Sequence, residues 1–196
     1  MSEDVIKIDT DAALYVPKTL EPQILPVFDD SNPLLSQVMP EYTDPLPNPI
    51  MSNIVSRLKF TMKAYAGVGL SANQCGITAR VFVIGTDQFQ MTCINPKLIS
   101  TSGAGLRSVE GCLSFPGMYL NITRSNFIEV EFTDEQGVTK RMTLEGLTAR
   151  CFLHELDHMN GIKYTQYVGA VSLQTAKRKQ HKLLKKHMRN MKNKST

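Results

Sequence analysis

Hydrophobic residues in the first third of the chain recur at the spacing of a helix. Five of them lie three or four positions apart and would share one face: Ile50, Ile54, Leu58, Met62 and Tyr65. Asn48 suits an N-cap, Pro49 suits the first helical turn, and Gly67 suits a helix end. The pattern therefore predicts an amphipathic helix that begins after Asn48 and ends before Gly67.

Two further helices are predicted towards the end of the chain. One covers about 146–159 and stops at Asn160-Gly161, since glycine favours a helix C-terminus. The other covers about 169–191, and its apolar side chains form one stripe: Leu173, Ala176, Leu183, Leu184, Met188 and Met191. We expect the first of these helices to be central in the fold and the second to be a long C-terminal helix.

The segments between these helices have the pattern of strands. V-F-V-I-G at 81–85 is a short apolar run rich in β-branched residues, which is typical of a buried strand. Strand patterns return at about 91–100 and 126–146, and the turn-forming residues 134–137 predict a hairpin. The expected fold class is α+β, with small antiparallel or mixed sheets around the central helix.

Proline content sets the start of the chain apart. Eight of the ten prolines fall within residues 1–50, which predicts a mostly irregular arm that wraps over the body. Apolar residues in the arm argue against full disorder: Leu14, Tyr15, Ile24, Leu25, Val27 and Phe28. The predicted organisation is an arm over 1–47, a main domain over 48–168, and a C-terminal helix with its tail over 169–196.

Composition indicates one globular domain with appendages, since 42% of the 196 residues are hydrophobic. No apolar run approaches the roughly 20 residues that cross a bilayer, and no basic segment leads into an apolar run at the N-terminus. We expect a cytoplasmic protein without membrane contact, in a bacterial cell or in a host cell if a virus encodes it. In that reducing compartment the four cysteines would be free thiols or metal ligands.

Charge is distributed unevenly along the chain. Residues 1–157 hold 12 Lys/Arg against 18 Asp/Glu, whereas residues 158–196 hold ten Lys/Arg and no acid. Nine of these basic residues lie in 176–194. This segment is either the solvated face of an amphipathic helix or a contact for an anionic partner.

The strongest chemical signal is H-E-L-D-H at 154–158, an HExxH motif where a helix is predicted. Imidazoles four positions apart share a helix face and can bind the same metal ion. Glu155 lies beside the first imidazole and can accept a proton from water. One stripe of the helix holds Leu147, Cys151, His154 and His158. Both imidazoles should therefore point inward, to a metal or, alternatively, to backbone carbonyls of the core.

A catalytic zinc-type site usually has three protein ligands. The third must come from upstream here, because no acidic residue follows Asp157 and the next histidine lies in the basic tail. Cys151 is too far from His158, about 10.5 Å along the helix axis. Cys112, in the segment E-G-C-L-S outside any predicted helix, is the better candidate.

Three motifs together resemble those of the peptide deformylase family. G-V-G-L-S-A-N-Q at 67–74 is similar to the first family motif, E-G-C-L-S at 110–114 to the second, and H-E-L-D-H at 154–158 to the third. They occur in the family's order, and the resemblance spans residues 48 to about 190. It implies an amidohydrolase that removes the formyl group from N-formylmethionyl nascent peptides, with the main domain as its catalytic metallohydrolase domain.

The resemblance implies a role for each motif residue. The ligands of one divalent ion would be Cys112, His154 and His158. The ion is ferrous iron in many members, with nickel, cobalt or zinc as substitutes. Glu155 would act as general base and then as general acid. The Gln74 amide and the Leu113 backbone N–H would stabilise the developing oxyanion.

The resemblance also implies the walls of a peptide site. The residues it assigns to substrate binding are Gly67, Val68, Gly69, Leu147 and Cys151. The glycines would let the peptide pair in strand fashion, and the other three would line a methionine pocket, unless they are plain core. Arg150 would lie at the pocket rim, and Glu110 would pair with Arg124, unless that pair is a surface contact without consequence.

Three positions depart from the family pattern. Ser71 replaces the usual alanine, Leu153 a common glutamine, and Tyr119 an arginine that contacts the peptide in some members. These departures put the grip on the substrate in doubt but leave the metal ligands intact.

The basic C-terminal helix suggests a further partner, because in some deformylases such a helix docks on the ribosome. Truncation after about residue 170 would then weaken ribosome binding and spare hydrolysis of short formyl-peptides. Two other functions stay open: an HExxH metallopeptidase, and an inactive relative that binds the ribosome or RNA through the tail.

Overall fold

A computed structural model of the chain describes residues 23–86 and 89–194, except for the side chains of residues 187 and 191–194. Leu14, Tyr15 and the side chain of Met191 lie outside the described residues. The helices and strands in chain order are α1 Pro49–Ala64, β1 Gly69–Ser71, β2 Val81–Gly85, β3 Gln90–Gly111, β4 Tyr119–Thr133, β5 Thr139–Glu145, α2 Gly146–Met159 and α3 Ala170–Lys194.

The five strands form one antiparallel sheet in the order β1-β2-β3-β4-β5. The α+β class and the long C-terminal helix are confirmed, but the described residues contain a single antiparallel sheet rather than several small or mixed ones. The reason is β3, which pairs with β2 at its start and with β4 beyond. Register shifts near Ile94, Leu98 and Ser102 let this long strand bend.

The predicted hairpin joins β4 and β5. Asp134 closes it, because its Oδ1 accepts the backbone N–H groups of Gln136 at 2.9 Å and Val138 at 3.0 Å. On β4, Ile128 and Val130 are buried in the main core, as the alternating pattern predicts. These two strands lie at one edge of the sheet, and α2 packs against both of them.

Helix α1 begins as predicted, since the Asn48 side chain accepts the backbone N–H of Met51 at 2.8 Å. The predicted apolar face is wrong at both ends, because Ile50 is 58% exposed and Tyr65 is 49% exposed. The buried face instead holds Met51, Val55, Leu58, Thr61 and Met62. The apolar stripe of α1 is wider than its contact with the sheet, so either of two helix faces could be buried. Packing buries the face whose residues lie about one position further along the chain.

Helix α2 is buried on most of its circumference from Ala149 onward. Phe152 packs edge-to-face on Phe82 of β2, with ring centroids 5.2 Å apart, in the main core. Leu147 begins the stripe that holds both histidines, but it is not a core residue, because its side chain is 64% exposed. The first turn of α2 borders a cavity rather than the core, and so the inward-facing stripe begins at Cys151.

The described part of the proline-rich arm lies on the body and has little regular structure. Phe28 donates its backbone N–H to the Gln74 carbonyl at 2.8 Å, and Met39 donates to the Met159 carbonyl at 2.9 Å. Leu35, in the short 3-10 turn Pro33–Ser36, is fully buried. This part of the arm therefore contributes to the core, while the division of the chain at residue 47 stays a prediction.

Helix α3 contacts the body through its first half. Ala176 is buried in a cluster with Phe115 and Tyr164, and the Gln180 amide donates to the Pro116 carbonyl at 3.0 Å. The second half of the predicted stripe is exposed, because Leu183 and Met188 have no sheet or helix surface to cover them and are 51% and 58% exposed. None of the helices that the structure describes combines the length and hydrophobicity needed to cross a lipid bilayer.

Candidate metal centre

Two structural elements bring together three side chains that could bind a metal ion. Cys112 directly follows the end of β3, whereas His154 and His158 lie one turn apart on α2. Cys112 Sγ is 3.3 Å from His158 Nε2, and the three donor atoms all lie within 4.8 Å of one another. A sulfur and two ring nitrogens at such distances fit a tetrahedral ion with one position left for solvent or substrate. The residues present therefore fit a divalent metal ion.

Burial and hydrogen bonding act oppositely on the two imidazoles. Burial lowers the pKa of His154, but its hydrogen bonds to Cys112 and Glu110 outweigh this effect and raise the value to about 10. Burial, followed by the charge on His154, lowers the pKa of His158 well below its usual range. Without an ion, the His154 ring thus carries a proton among the closely packed sulfur and nitrogen atoms of the centre. A metal ion would replace that proton, because metal binding requires neutral imidazoles.

A buried ionic network holds the first imidazole. Glu110 Oε2 lies 3.1 Å from His154 Nδ1, so that the other ring nitrogen is left for the centre. Arg124 donates to both oxygens of Glu110 at 2.8 and 3.0 Å and to Asp157 at 2.8 Å. The Glu110 and Arg124 side chains are both 5% exposed, so the predicted pair is not a surface contact.

Arg150 lines the cavity, as predicted, and also binds this network. It pairs with Glu110 at 2.5 Å and donates to the Ile122 carbonyl at 3.1 Å. Burial alone would raise the pKa of Glu110, but hydrogen bonds from His154 and Arg124 lower it to about 2. The Glu110 carboxylate is therefore ionised across the physiological range and faces two guanidinium groups.

Glu155 lies beside the centre with its carboxylate buried at 4% exposure. Ser71 Oγ donates to Glu155 Oε2 at 2.5 Å, and a side chain at Gly69 would collide with Oε1. Burial raises the pKa of Glu155. The sequence contained no signal for the contact with Ser71, because the two residues are 84 positions apart.

The Gln74 amide has a fixed orientation. Its Oε1 accepts the backbone N–H of Ser71 at 3.0 Å, and its Nε2 donates to Ser114 Oγ at 3.1 Å. The same Nε2 lies 3.4 Å from Cys112 Sγ. The amide therefore presents N–H groups to the cysteine segment, where a neutral donor could stabilise negative charge on an oxygen.

A cavity of about 660 Å³ adjoins the centre. Its walls include all of the residues predicted to bind substrate, which are Gly67, Val68, Gly69, Leu147 and Cys151. Leu113, Tyr119 and Arg150 also line it. The walls include two residues of the arm as well, Val27 and Asp29, which the sequence analysis missed because the arm carries no motif.

A loop thiol next to two imidazoles of an HExxH helix, with a buried carboxylate beside them, is the arrangement of a metallohydrolase. The family model of polypeptide deformylase matches residues 24–174. The chain therefore belongs to the polypeptide deformylase family.

Individual relatives agree with this assignment. A peptide deformylase of a Synechococcus species is 42% identical over 113 residues, which are 55% of this chain and 56% of that protein. One from Carboxydothermus hydrogenoformans is 34% identical over 140 residues, covering 71% of this chain and 90% of that protein. The match to the first relative thus spans little more than half of its length. The solved peptide deformylase of Legionella pneumophila has a TM-score of 0.78 at 29% identity, covering 85% of this chain and 99% of that one.

Proposed function

We propose that this protein removes the formyl group from the N-terminal methionine of newly made polypeptides. The observation that carries the proposal is the convergence of three ligand side chains within 4.8 Å, beside a cavity that Glu155 and Gln74 also line. Membership of the polypeptide deformylase family supports the same activity. The proposed ligands are Cys112, His154 and His158.

The protein's own carboxylate moves the proton in the proposed reaction. A divalent ion at the centre would polarise the formyl group and activate water. Glu155 accepts a proton from the attacking water and passes it to the leaving amine as the carbon–nitrogen bond breaks, which yields formate and a free amino terminus. Its raised pKa suits this double role, because a carboxyl that must accept and then donate works best near the operating pH.

Negative charge on the formyl oxygen would be stabilised by two neutral donors. The Gln74 amide is oriented for this role by its bonds to Ser71 and Ser114. The backbone N–H of Leu113, next to Cys112 on the cavity wall, is the second proposed donor. Donors of this kind are typically worth ~3 kcal/mol of barrier each.

The peptide would bind along β1, which pairs with β2 alone among the strands of the described residues and so has an edge where a peptide strand could add. Gly67 and Gly69 allow a close approach of the peptide backbone. The methionine side chain would enter the cavity between Val68, Leu147 and Cys151. Burial raises the pKa of the Cys151 thiol to about 12, so this wall is uncharged at neutral pH.

Four finer features belong to the same proposal. The HExxH helix α2 is the central scaffold of the fold. The bound ion is ferrous iron, with nickel, cobalt or zinc able to replace it, because a thiolate with two imidazoles suits each of these borderline-soft metals. The catalytic domain is 48–168, between the arm over 1–47 and the tail over 169–196, and the protein acts in the cytoplasm, where nascent chains begin.

Docking on the ribosome through α3 is also proposed. Its basic residues are exposed from Lys177 to Arg189, which leaves them available for an anionic surface. Truncation after about residue 170 would also disturb the body of the protein, because it would remove Ala176 from the core cluster and Gln180 from its bond to Pro116. Truncation after Lys182 keeps both contacts. It should weaken ribosome co-sedimentation at low salt and leave hydrolysis of formyl-Met-Ala-Ser unchanged.

The proposed activity is tested by metal analysis of anaerobically purified protein together with a formyl-Met-Ala-Ser hydrolysis assay. We expect about one divalent ion per chain and release of formate. Glu155→Gln should keep the metal and lose turnover, whereas Glu145→Gln, an exposed glutamate on the neighbouring strand, should lose neither. Unformylated Ala-Ser peptides serve as the control for endopeptidase activity, and cleavage of these alone would contradict the proposal.

A further inference from the structure

Ser71, the last residue of β1, is fully buried. Its hydroxyl donates to Glu155 Oε2 at 2.5 Å and also lies 3.4 Å from the Glu155 backbone carbonyl. An alanine could make neither contact. We infer that Ser71 is a positioning residue, whose hydroxyl fixes the Glu155 carboxylate in the orientation needed for proton transfer. The inference rests on the proposed function of Glu155.

The two carboxylate oxygens have different surroundings. Oε2 is engaged by Ser71, whereas Oε1 lies against Gly69, in the space that a side chain at that position would occupy. Glu155 and Gly69 both line the cavity. One oxygen is thus held by a hydrogen bond and the other by close packing on Gly69, which together define the orientation of the carboxylate at the cavity wall.

Ser71 itself is held rigidly. It is the last residue of β1 and pairs with Phe82 of β2 in the sheet register. Its backbone N–H donates to Gln74 Oε1 at 3.0 Å. One residue therefore bonds both the proposed proton carrier and the proposed oxyanion donor. This linkage connects the carboxylate to the amide through a single buried residue.

An anchor matters because a glutamate has three rotatable side-chain bonds. Within the part of the chain that the structure describes, the hydrogen bond to the Glu155 carboxylate comes from Ser71. Removing the hydroxyl leaves the carboxylate free to sample other rotamers, and the population in the reactive orientation falls. The loss should appear in the rate of the chemical step rather than in substrate binding.

Two isosteric comparisons test the inference: Ser71 against Ser71→Ala, and Ser71→Thr against Ser71→Val. In each pair the second member lacks the hydroxyl and has a similar shape. We expect kcat for formyl-Met-Ala-Ser to fall roughly tenfold from Ser to Ala, as suits a lost hydrogen bond to a charged group. KM and the metal content should stay the same, and Thr should exceed Val in kcat. Ser56→Ala, an exposed change in α1, controls for purification.

Crystal structures of the wild type and Ser71→Ala give a readout that does not depend on activity. We expect the Glu155 carboxylate in one orientation in the wild type and in several in the variant. Equal kcat for Ser and Ala, or a loss confined to KM, metal content or thermal stability, would overturn the inference, as would an unchanged single orientation of Glu155. A metal-loaded wild type without deformylase activity would instead refute the proposed function, and the crystallographic comparison would still decide the anchoring role.

Discussion

The helices α2 and α3 carry charge in opposite ways. In α2 the charged and ionisable side chains of His154, Glu155, Asp157 and His158 are buried, and hydrogen bonds fix most of them to named partners. In α3 the basic side chains are exposed, and its second half leaves the body. Buried charge in the interior is stabilised only by exact partners, whereas exposed charge is screened by water and salt. Substitutions in α2 and in the residues that contact it should therefore affect the proposed reaction strongly. Substitutions in the exposed part of α3 should affect it little.

The largest effect is expected from the ligand cysteine. Cys112→Ala should lose the metal and reduce kcat/KM at least a thousandfold, because two imidazoles alone leave the ion incompletely held. Cys151→Ala, one turn before His154 on α2, is the matched control and should keep the metal. Plasma emission spectrometry of the two variants measures this directly. If Cys112→Ala retained metal at the wild-type level, the assignment of Cys112 as a metal ligand would be contradicted.

The buried ionic network is the next most sensitive region. Glu110→Gln should lower the free energy of unfolding by about 3–5 kcal/mol, because it leaves Arg150 and part of Arg124 without a counter-charge in the interior. Urea unfolding at neutral pH measures the loss. Glu129→Gln, which breaks a solvent-exposed pair with Arg141, should change the free energy of unfolding far less, because water and salt screen that pair. Similar losses in both variants would contradict the distinction between buried and exposed charge.

The same network predicts how stability depends on pH. The pKa of Glu110 is lowered from 4.5 to about 2, so the unfolded chain binds a proton more readily than the folded one. Its contribution is complete above about pH 4.5 and is lost as pH falls through about 2. Urea unfolding of the chelator-treated protein between pH 6 and pH 3 should show a steeper decline for the wild type than for Glu110→Gln. Parallel declines in the two proteins would show that the Glu110 carboxylate is not the source of this pH dependence.

The residues that contact one another locally could be predicted from the sequence. The Asn48 cap, the hairpin at Asp134 and the HExxH helix each depend on neighbours within a few positions, and the structure contains all three. Contacts between distant segments could not be predicted. Nothing near Ser71 signals its bond to Glu155, and nothing in the arm places Asp29 on the cavity wall. Cys112 was favoured as the third ligand by excluding downstream residues and Cys151, and then by the motif resemblance, rather than from any local pattern.

An apolar pattern does not by itself determine which residues are buried, because burial also depends on packing against other elements. Ile50 and Leu147 have the hydrophobicity of core residues, yet both are exposed because no element covers their side of the helix. The length of β3 was underestimated for a related reason, since its second half is polar and is held by pairing with β4 rather than by burial.

The smallest effect is expected from α3. Reversing the charges of Lys182, Lys185 and Lys186 to glutamate should change kcat/KM for formyl-Met-Ala-Ser less than twofold, because all three side chains are exposed and far along the chain from the centre. The free energy of unfolding should move by no more than about 0.5 kcal/mol. A large loss of peptide hydrolysis in this variant would mean that α3 takes part in the reaction.

X-ray absorption spectroscopy of zinc-loaded protein tests the central claim most directly. The account predicts one sulfur ligand at about 2.3 Å and two imidazole nitrogens at about 2.0–2.1 Å, with the sulfur signal lost in Cys112→Ala. A spectrum with nitrogen and oxygen ligands alone in the wild type would contradict it.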